Sequence, residues 1–194
     1  YKHIKIVLVD RADLKEVIGY YNLINFFKGL IIYFLIPILY KRADAIITNS
    51  KSAKLDLQRL CKMKVINISP PSLIKFRSKK NKKNKKKIYT VITVGSLVKP
   101  KGVDTMIKAF NEIKLNNVIL KVLGDGKEKN NLEKMIHEYG LEKRVFLLGR
   151  IKNTKKIYQS SDLFIHASHQ EGFPNAIVEA INYNLPVICS NCKG

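Results

Sequence analysis

Cysteine is scarce in this 194-residue chain, and its scarcity excludes two classes of small protein. Three cysteines, an odd number, do not make a disulfide framework and point instead to a reducing compartment. Cys189 and Cys192 stand as C-x-x-C, but no second pair completes a zinc site, so no metal is expected. Acid is scarce too. Asp and Glu number 15 against 36 Lys and Arg, giving a formal net charge of +21. Such an excess admits nucleic acid, an anionic membrane surface or a polyanionic substrate as partner. A run long enough to cross a bilayer, about 20 apolar residues, is also missing. The apolar stretch Gly29 to Tyr40 has 12 residues, is interrupted by Pro37 and is flanked by Lys28, Lys41 and Arg42. It reads first as a helix buried in a core, and second as one lying at a bilayer interface. No signal peptide is visible. Tyr1 to Asp10 runs directly into a strand, as though an earlier segment preceded it.

What is present is a globular composition, 46% hydrophobic and 26% charged, sufficient to bury a substantial core. Ile4 to Val9 is a continuous apolar run, which predicts a strand buried on both faces. A helical pattern runs from about Glu16 to Arg42, then a strand over Ala45 to Thr48. Ser50 is placed to cap a helix through Leu60, and Val65 to Ile68 is a third strand. Ser69-Pro70-Pro71 stops regular structure. Arg77 to Lys87 then carries eight cations and no apolar residue, which predicts a solvated linker and a domain boundary. The predicted organisation is thus a first domain over 1–76, a basic linker over 77–87 and a second domain over 88–194. No aromatic platform accompanies the basic run, which argues against a nucleic-acid function. Attraction to anionic lipid is the better second reading.

Beyond the linker, strands and helices alternate. Strands are predicted at Tyr89–Val94, Val118–Leu123, Val145–Leu148, Leu163–Ala167 and Pro186–Cys189. Helices are predicted at Val103–Lys114, Glu128–Tyr139, Thr154–Ser160 and Asn175–Tyr183. Short βα alternation of this kind means an α/β fold with a doubly wound parallel sheet. Such sheets bind ligands outside the carboxyl ends of their strands. The loops there are Gly95 to Gly102, Gly124-Asp125-Gly126, Gly149-Arg150 and His166 to Pro174, all rich in glycine or polar residues. Glycine lets a ligand approach backbone, and the helix N-termini that follow offer free N–H groups to anions, so a phosphorylated ligand is expected.

The most informative segment is Glu171-Gly-Phe-Pro-Asn-Ala-Ile-Val-Glu179. Pro174 suits a helix start, Glu171 lies in the loop before it, and Glu179 sits about two turns along the helix. The pattern can aim two carboxylates at one crevice, with the positive end of a helix dipole between them. A nucleoside diphosphate sugar, with hydroxyls at both ends and a diphosphate in the middle, fits that arrangement. His166 and His169 near the strand end are candidate acid–base groups, although a structural role is the simpler reading.

With EGFPNAIVEA, SSDLFIHAS before it, NLPVICSN after it, and VGSLVKPKGVDTMIKAF and VLGDGKEKNNLEKMI upstream, the chain resembles the retaining glycosyltransferases of family 4 (group 1). These have the GT-B fold. KRADAIITNSKSAKLDL also resembles their acceptor-domain segment. The resemblance runs from about Arg42 onward and implies a donor domain preceded by a truncated acceptor domain, so that the chain looks like a fragment. It implies that Glu171 contacts hydroxyls of the donor sugar and that Glu179 takes the ribose hydroxyls. It further implies that Lys101, within the Gly95-Ser96 loop, neutralises the diphosphate. Backbone amides across Gly172, Phe173, Pro174, Asn175 and Ala176 would grip the diphosphate oxygens, and backbone near Arg150 would contact the base. The implied substrate is a nucleotide sugar, a UDP-sugar first, with a glycan or glycolipid acceptor and no required cofactor or metal. The implied place is the cytoplasm, peripheral at the inner membrane face. Ser96 stands where many members have arginine, and Asp10-Arg11-Ala12 where many have a His or E-R-N sequence. An inactive homologue and a basic nucleic-acid or membrane-binding module are the competing readings.

Overall fold

The computed structural model describes residues 5–10, 23–68 and 88–192, which fall into two compact units. One holds the described residues up to 68 together with Gln170–Pro174 and Cys192. The other holds 88–169 and 175–191. The basic run Arg77 to Lys87, the Ser69-Pro70-Pro71 stop, Arg11 and the first turns of the helix expected from Glu16 all lie outside the described residues.

In the first unit β1 (Val7–Asp10), β2 (Ala45–Thr48) and β3 (Val65–Asn67) form a parallel sheet in the order β1-β2-β3. Helix α1 (Leu23–Tyr40) joins β1 to β2, and α2 (Lys51–Cys61) joins β2 to β3. The expected cap is present: the Ser50 hydroxyl accepts from the Ala53 amide at 3.2 Å and satisfies one of the helix's orphan donors. Ile36, Ile46, Leu57, Cys61 and Val65 make the core.

Two expectations of burial fail in this unit. β1 is not buried on both faces: Ile6 and Val7 are about half exposed and Val9 is 63% exposed. Among the described residues β1 pairs only with β2, and the strand that gains burial is the central one. Nor is α1 a buried helix. Ile36 joins the core, whereas Phe27, Ile31, Phe34 and Ile38 are exposed, Phe34 by 65%. The helix is apolar around its whole circumference, and a three-stranded sheet can cover only one side of it. No described helix is long and apolar enough to cross a membrane.

The Tyr40 hydroxyl, at the end of α1, donates to the Asp10 carboxylate at 3.1 Å. Burial, reinforced by the Asp10 charge, pushes the phenol up to about 12. A group whose folded pKa exceeds its unfolded value, here about 10, contributes stability that is complete below the unfolded value. That contribution is lost as pH rises through the folded value. Urea midpoints should therefore fall between pH 9 and 12, and less steeply in Tyr40→Phe. An identical alkaline slope in the variant would refute the assignment.

The second unit is a five-stranded parallel sheet in the order β6-β5-β4-β7-β8. Its strands are β4 (Tyr89–Val94), β5 (Val118–Leu123), β6 (Val145–Leu147), β7 (Leu163–His166) and β8 (Val187–Cys189). The crossovers are α3 (Val103–Glu112), α4 (Lys129–Glu138), α5 (Lys155–Ser160) and α6 (Asn175–Asn182). The sheet is covered on both faces, as its mostly apolar strands require. Val91, Leu120, Val122 and Val145 pack with Met106, Ile107 and Phe110 of α3 and with α4. On the opposite side Ile92 and Phe164 pack with Tyr158, Ala180 and Tyr183. The α/β class and the doubly wound parallel sheet read from the sequence are thus the observed ones. The chain order reverses at β4, which has β5 on one side and β7 on the other.

Candidate functional site

That reversal opens a crevice at the carboxyl ends of the strands, where an open parallel sheet places its ligand. Backbone lines it because three loops cross one another there. The Leu97 amide donates to the Asp125 carbonyl at 3.0 Å, and the Glu128 amide donates to the Leu97 carbonyl at 3.0 Å. The loop after β4 is also tied to the end of β7. The Pro100 carbonyl accepts from the His169 amide at 2.8 Å and from the Ser168 hydroxyl at 2.9 Å. Gly102 makes that approach feasible: its φ is +63°, and a Cβ there would lie 2.1 Å from the Ala167 carbonyl oxygen. The sequence Lys99-Pro100-Lys101 forms a single 3-10 turn before α3.

Among the described residues, two concavities lie there. The larger, about 210 Å3, lies over β4, β5 and β6 and is lined by Gly95, Ser96, Gly124, Asp125, Arg150 and Thr154 among others. The smaller, about 10 Å3, brings Gly95 and Ser96 together with Lys101, Val103 and His166. Gly95, Ser96, Lys101 and Arg150 are thus gathered at one edge of the sheet. His166 is buried and stacks on Phe164 with ring centroids 6.2 Å apart.

The acidic segment is placed differently. Glu171 is 7% exposed and lies with Gly172, Phe173 and Pro174 in the loop grouped with the first unit. Asn175 and Ala176 open α6 after Pro174, and Glu179 is exposed on that helix. Glu179 lines neither concavity above. It faces two phenols instead. The Tyr158 hydroxyl donates to the Ala176 carbonyl at 3.5 Å, and burial, reinforced by the Glu179 charge, holds its proton far above the usual tyrosine range. The Tyr183 phenol is raised as well, by burial first and the Glu179 charge second.

Sequence reading did not single out Thr154, Ile151 or Tyr158. The first two could have been found from position, because they lie in the short loop between Arg150 and α5. Tyr158 carries no such signal, since its partner lies on another helix.

A family model described as glycosyl transferases group 1 matches residues 74–194. An N-acetylgalactosamine-N,N'-diacetylbacillosaminyl-diphospho-undecaprenol 4-alpha-N-acetylgalactosaminyltransferase of Campylobacter jejuni is 32% identical over 178 residues, 87% of this chain and 47% of that protein. HepE of Anabaena, solved with UDP-glucose, superposes with a TM-score of 0.77 at 22% identity, covering 98% of this chain and 54% of that one. WaaG, a glycosyltransferase involved in lipopolysaccharide biosynthesis, superposes with a TM-score of 0.76 at 19% identity, covering 97% of this chain and 57% of that one. At such identities the likeness is one of fold, the GT-B architecture. The chain spans less than half the length of the curated relatives it matches. With the strand-end crevice, the loop glycines and the family match in agreement, the chain belongs to the group 1 glycosyl transferases.

Proposed function

We propose that the chain carries the nucleotide-sugar site of a retaining glycosyltransferase of family 4. The observation behind this reading is the crevice where the sheet order reverses, lined by loop backbone and rimmed by Lys101 and Arg150. A diphosphate needs N–H donors and cations, and a base needs a flat slot with backbone polar groups. The glycines, Lys101 and Arg150 that line the two concavities support this reading. Backbone near Arg150 takes the base and Glu179 the ribose hydroxyls. Lys101 and the amides around Asn175 and Ala176 take the diphosphate, and Glu171 takes hydroxyls of the sugar.

Transfer then runs by front-face attack. The acceptor oxygen bonds to the anomeric carbon on the face from which the bond to the phosphate oxygen breaks. The acceptor's proton passes to the departing diphosphate, whose charge Lys101 and the start of α6 stabilise. The relatives described above favour a UDP-sugar donor and a lipid-linked or lipopolysaccharide acceptor. The exposed apolar side of α1, beside Lys41 and Arg42, suits peripheral placement at an anionic membrane face.

Calorimetric titration with UDP-, GDP- and ADP-sugars, with an RNA oligonucleotide as control, tests the donor reading. Saturable binding of one nucleotide class is expected, weakened about tenfold or more in Glu179→Ala because a hydrogen bond to a charged group is lost. Equal affinity in wild type and Glu179→Ala would remove the ribose assignment. Binding to RNA alone, abolished by modest salt, would make the charge the function.

A further inference from the structure

Ser168 is a buried hydroxyl that the donor reading leaves unused. It lies two residues beyond the end of β7 and is 0% exposed. Its hydroxyl donates to the Pro100 carbonyl at 2.9 Å, a partner 68 residues away in the chain. That carbonyl already accepts from the His169 amide at 2.8 Å, so the serine is not needed to satisfy it. An alanine would occupy the position without burying a polar group, and the hydroxyl therefore needs its own explanation.

What the contact holds is the turn Lys99–Lys101. A peptide group is planar, so a grip on the Pro100 carbonyl also fixes the Lys101 amide in the same plane. The Lys101 amide donates to the Val98 carbonyl and the Gly102 amide to the Lys99 carbonyl, each at 3.0 Å. Those bonds shape the turn from within but do not set where it stands on the sheet. Its place comes from the end of β7: the Ser168 hydroxyl, the His169 amide and the approach of Gly102 to the Ala167 carbonyl. The β7 end is secured in turn by β8. There the Ser190 amide donates to the His166 carbonyl at 2.9 Å, and the Ser190 hydroxyl donates to the Ser168 carbonyl. A lysine carries a long, rotamer-rich side chain, and backbone freedom beneath it would add to the cost of aiming its charge. Fixing that backbone before a ligand arrives lowers the ordering cost of binding.

We propose that Ser168 is a positioning residue, its hydroxyl holding the Pro100–Lys101 peptide so that the Lys101 ammonium is presented to the diphosphate of a bound nucleotide. Ser168 itself does not touch the ligand. The inference rests on the donor reading above, in which Lys101 meets the diphosphate.

The test measures the affinity gained from nucleoside to nucleoside diphosphate, in the uridine, guanosine and adenosine series. Four forms of the chain are compared: wild type, Ser168→Ala, Lys101→Ala and the double variant. Wild type should gain roughly tenfold to a hundredfold from the diphosphate, the range for hydrogen bonds to charged groups. Ser168→Ala should cut that gain by roughly three- to tenfold, the effect of one hydrogen bond, while leaving nucleoside affinity unchanged. The double variant should match Lys101→Ala, because the hydroxyl acts only through that lysine. A purely structural role for Ser168 would instead weaken nucleoside and diphosphate equally, and would do so again when Lys101 is already alanine. A diphosphate gain lost in Lys101→Ala but kept in Ser168→Ala overturns the positioning role and leaves the donor reading standing. A gain that Lys101→Ala does not reduce overturns the diphosphate assignment of Lys101 and the positioning role together.

Discussion

Gly124→Ala should lower the melting temperature by roughly 10–20 °C, the shift that about 4–5 kcal/mol produces in a chain of this size. Gly124 follows β5 with φ +145°, and a Cβ there would lie 1.7 Å from the Gly95 carbonyl oxygen. That neighbour is backbone and cannot swing aside. The two strand ends are locked to each other: Val94 is in register with Leu123, and the Gly95 amide donates to the Leu123 carbonyl at 2.9 Å. Gly124 in turn donates to the Gly149 carbonyl at 2.8 Å, which ties the end of β6 to the same point. Making room for one methyl would separate the ends of β4 and β5 and leave ladder groups unpaired in a buried region. Gly149→Ala is the control. It also has a positive φ, +68°, but a Cβ there meets nothing within 4 Å, so only the backbone strain of about 1–2 kcal/mol remains. Thermal scans of the two variants separate the cases. Equal melting temperatures would mean that the close approach of the strand ends does not limit stability. Because Gly95 and Gly124 line the larger concavity, the stability defect should be accompanied by loss of nucleotide binding.

The same contrast shows which parts of the protein were legible in the sequence. The order and type of elements in the second unit could be read because short, mostly apolar strands alternate with helices that show one apolar face. Val103, Met106, Ile107 and Phe110 of α3 are all buried as that face predicts. Burial in the first unit could not be read in this way. An apolar run such as Val7 to Val9 states a preference but does not say how many neighbours are present to satisfy it, and there the exposure is high. Candidate ligand loops were visible from their glycines. The packing of Tyr158 against Ala180 and Tyr183 was not, because it joins α5 to α6 on one side of the sheet, and no periodicity links residues on different helices. Helical spacing reports which residues share a face but not what that face meets.

Glu171→Gln should lower glycosyl transfer by roughly 10²–10³-fold, the usual effect of removing one preorganised electrostatic contact to a transition state, while nucleotide affinity changes by no more than a few-fold. The side chain is 7% exposed in the loop before α6, so its carboxylate is not an ordinary solvated one. Shielding from water strengthens the interaction of a negative charge with positive charge developing nearby. In the proposed reaction that positive charge appears on the sugar only as the bond to the phosphate oxygen stretches. Interactions made mainly in the transition state are lost from the rate of transfer and not from ground-state binding. Glutamine keeps the shape, removes the charge and turns one acceptor oxygen into an NH2 donor, so a thermal scan of the variant separates any loss of fold from the loss of transfer. Glu179→Ala predicts the opposite pattern, weaker nucleotide binding with transfer largely recovered at saturating donor. Initial rates across a donor titration, with anomeric configuration of the product read by NMR, distinguish the two. Full transfer by Glu171→Gln would remove the sugar-side role from this carboxylate, and an inverted product would remove the front-face mechanism.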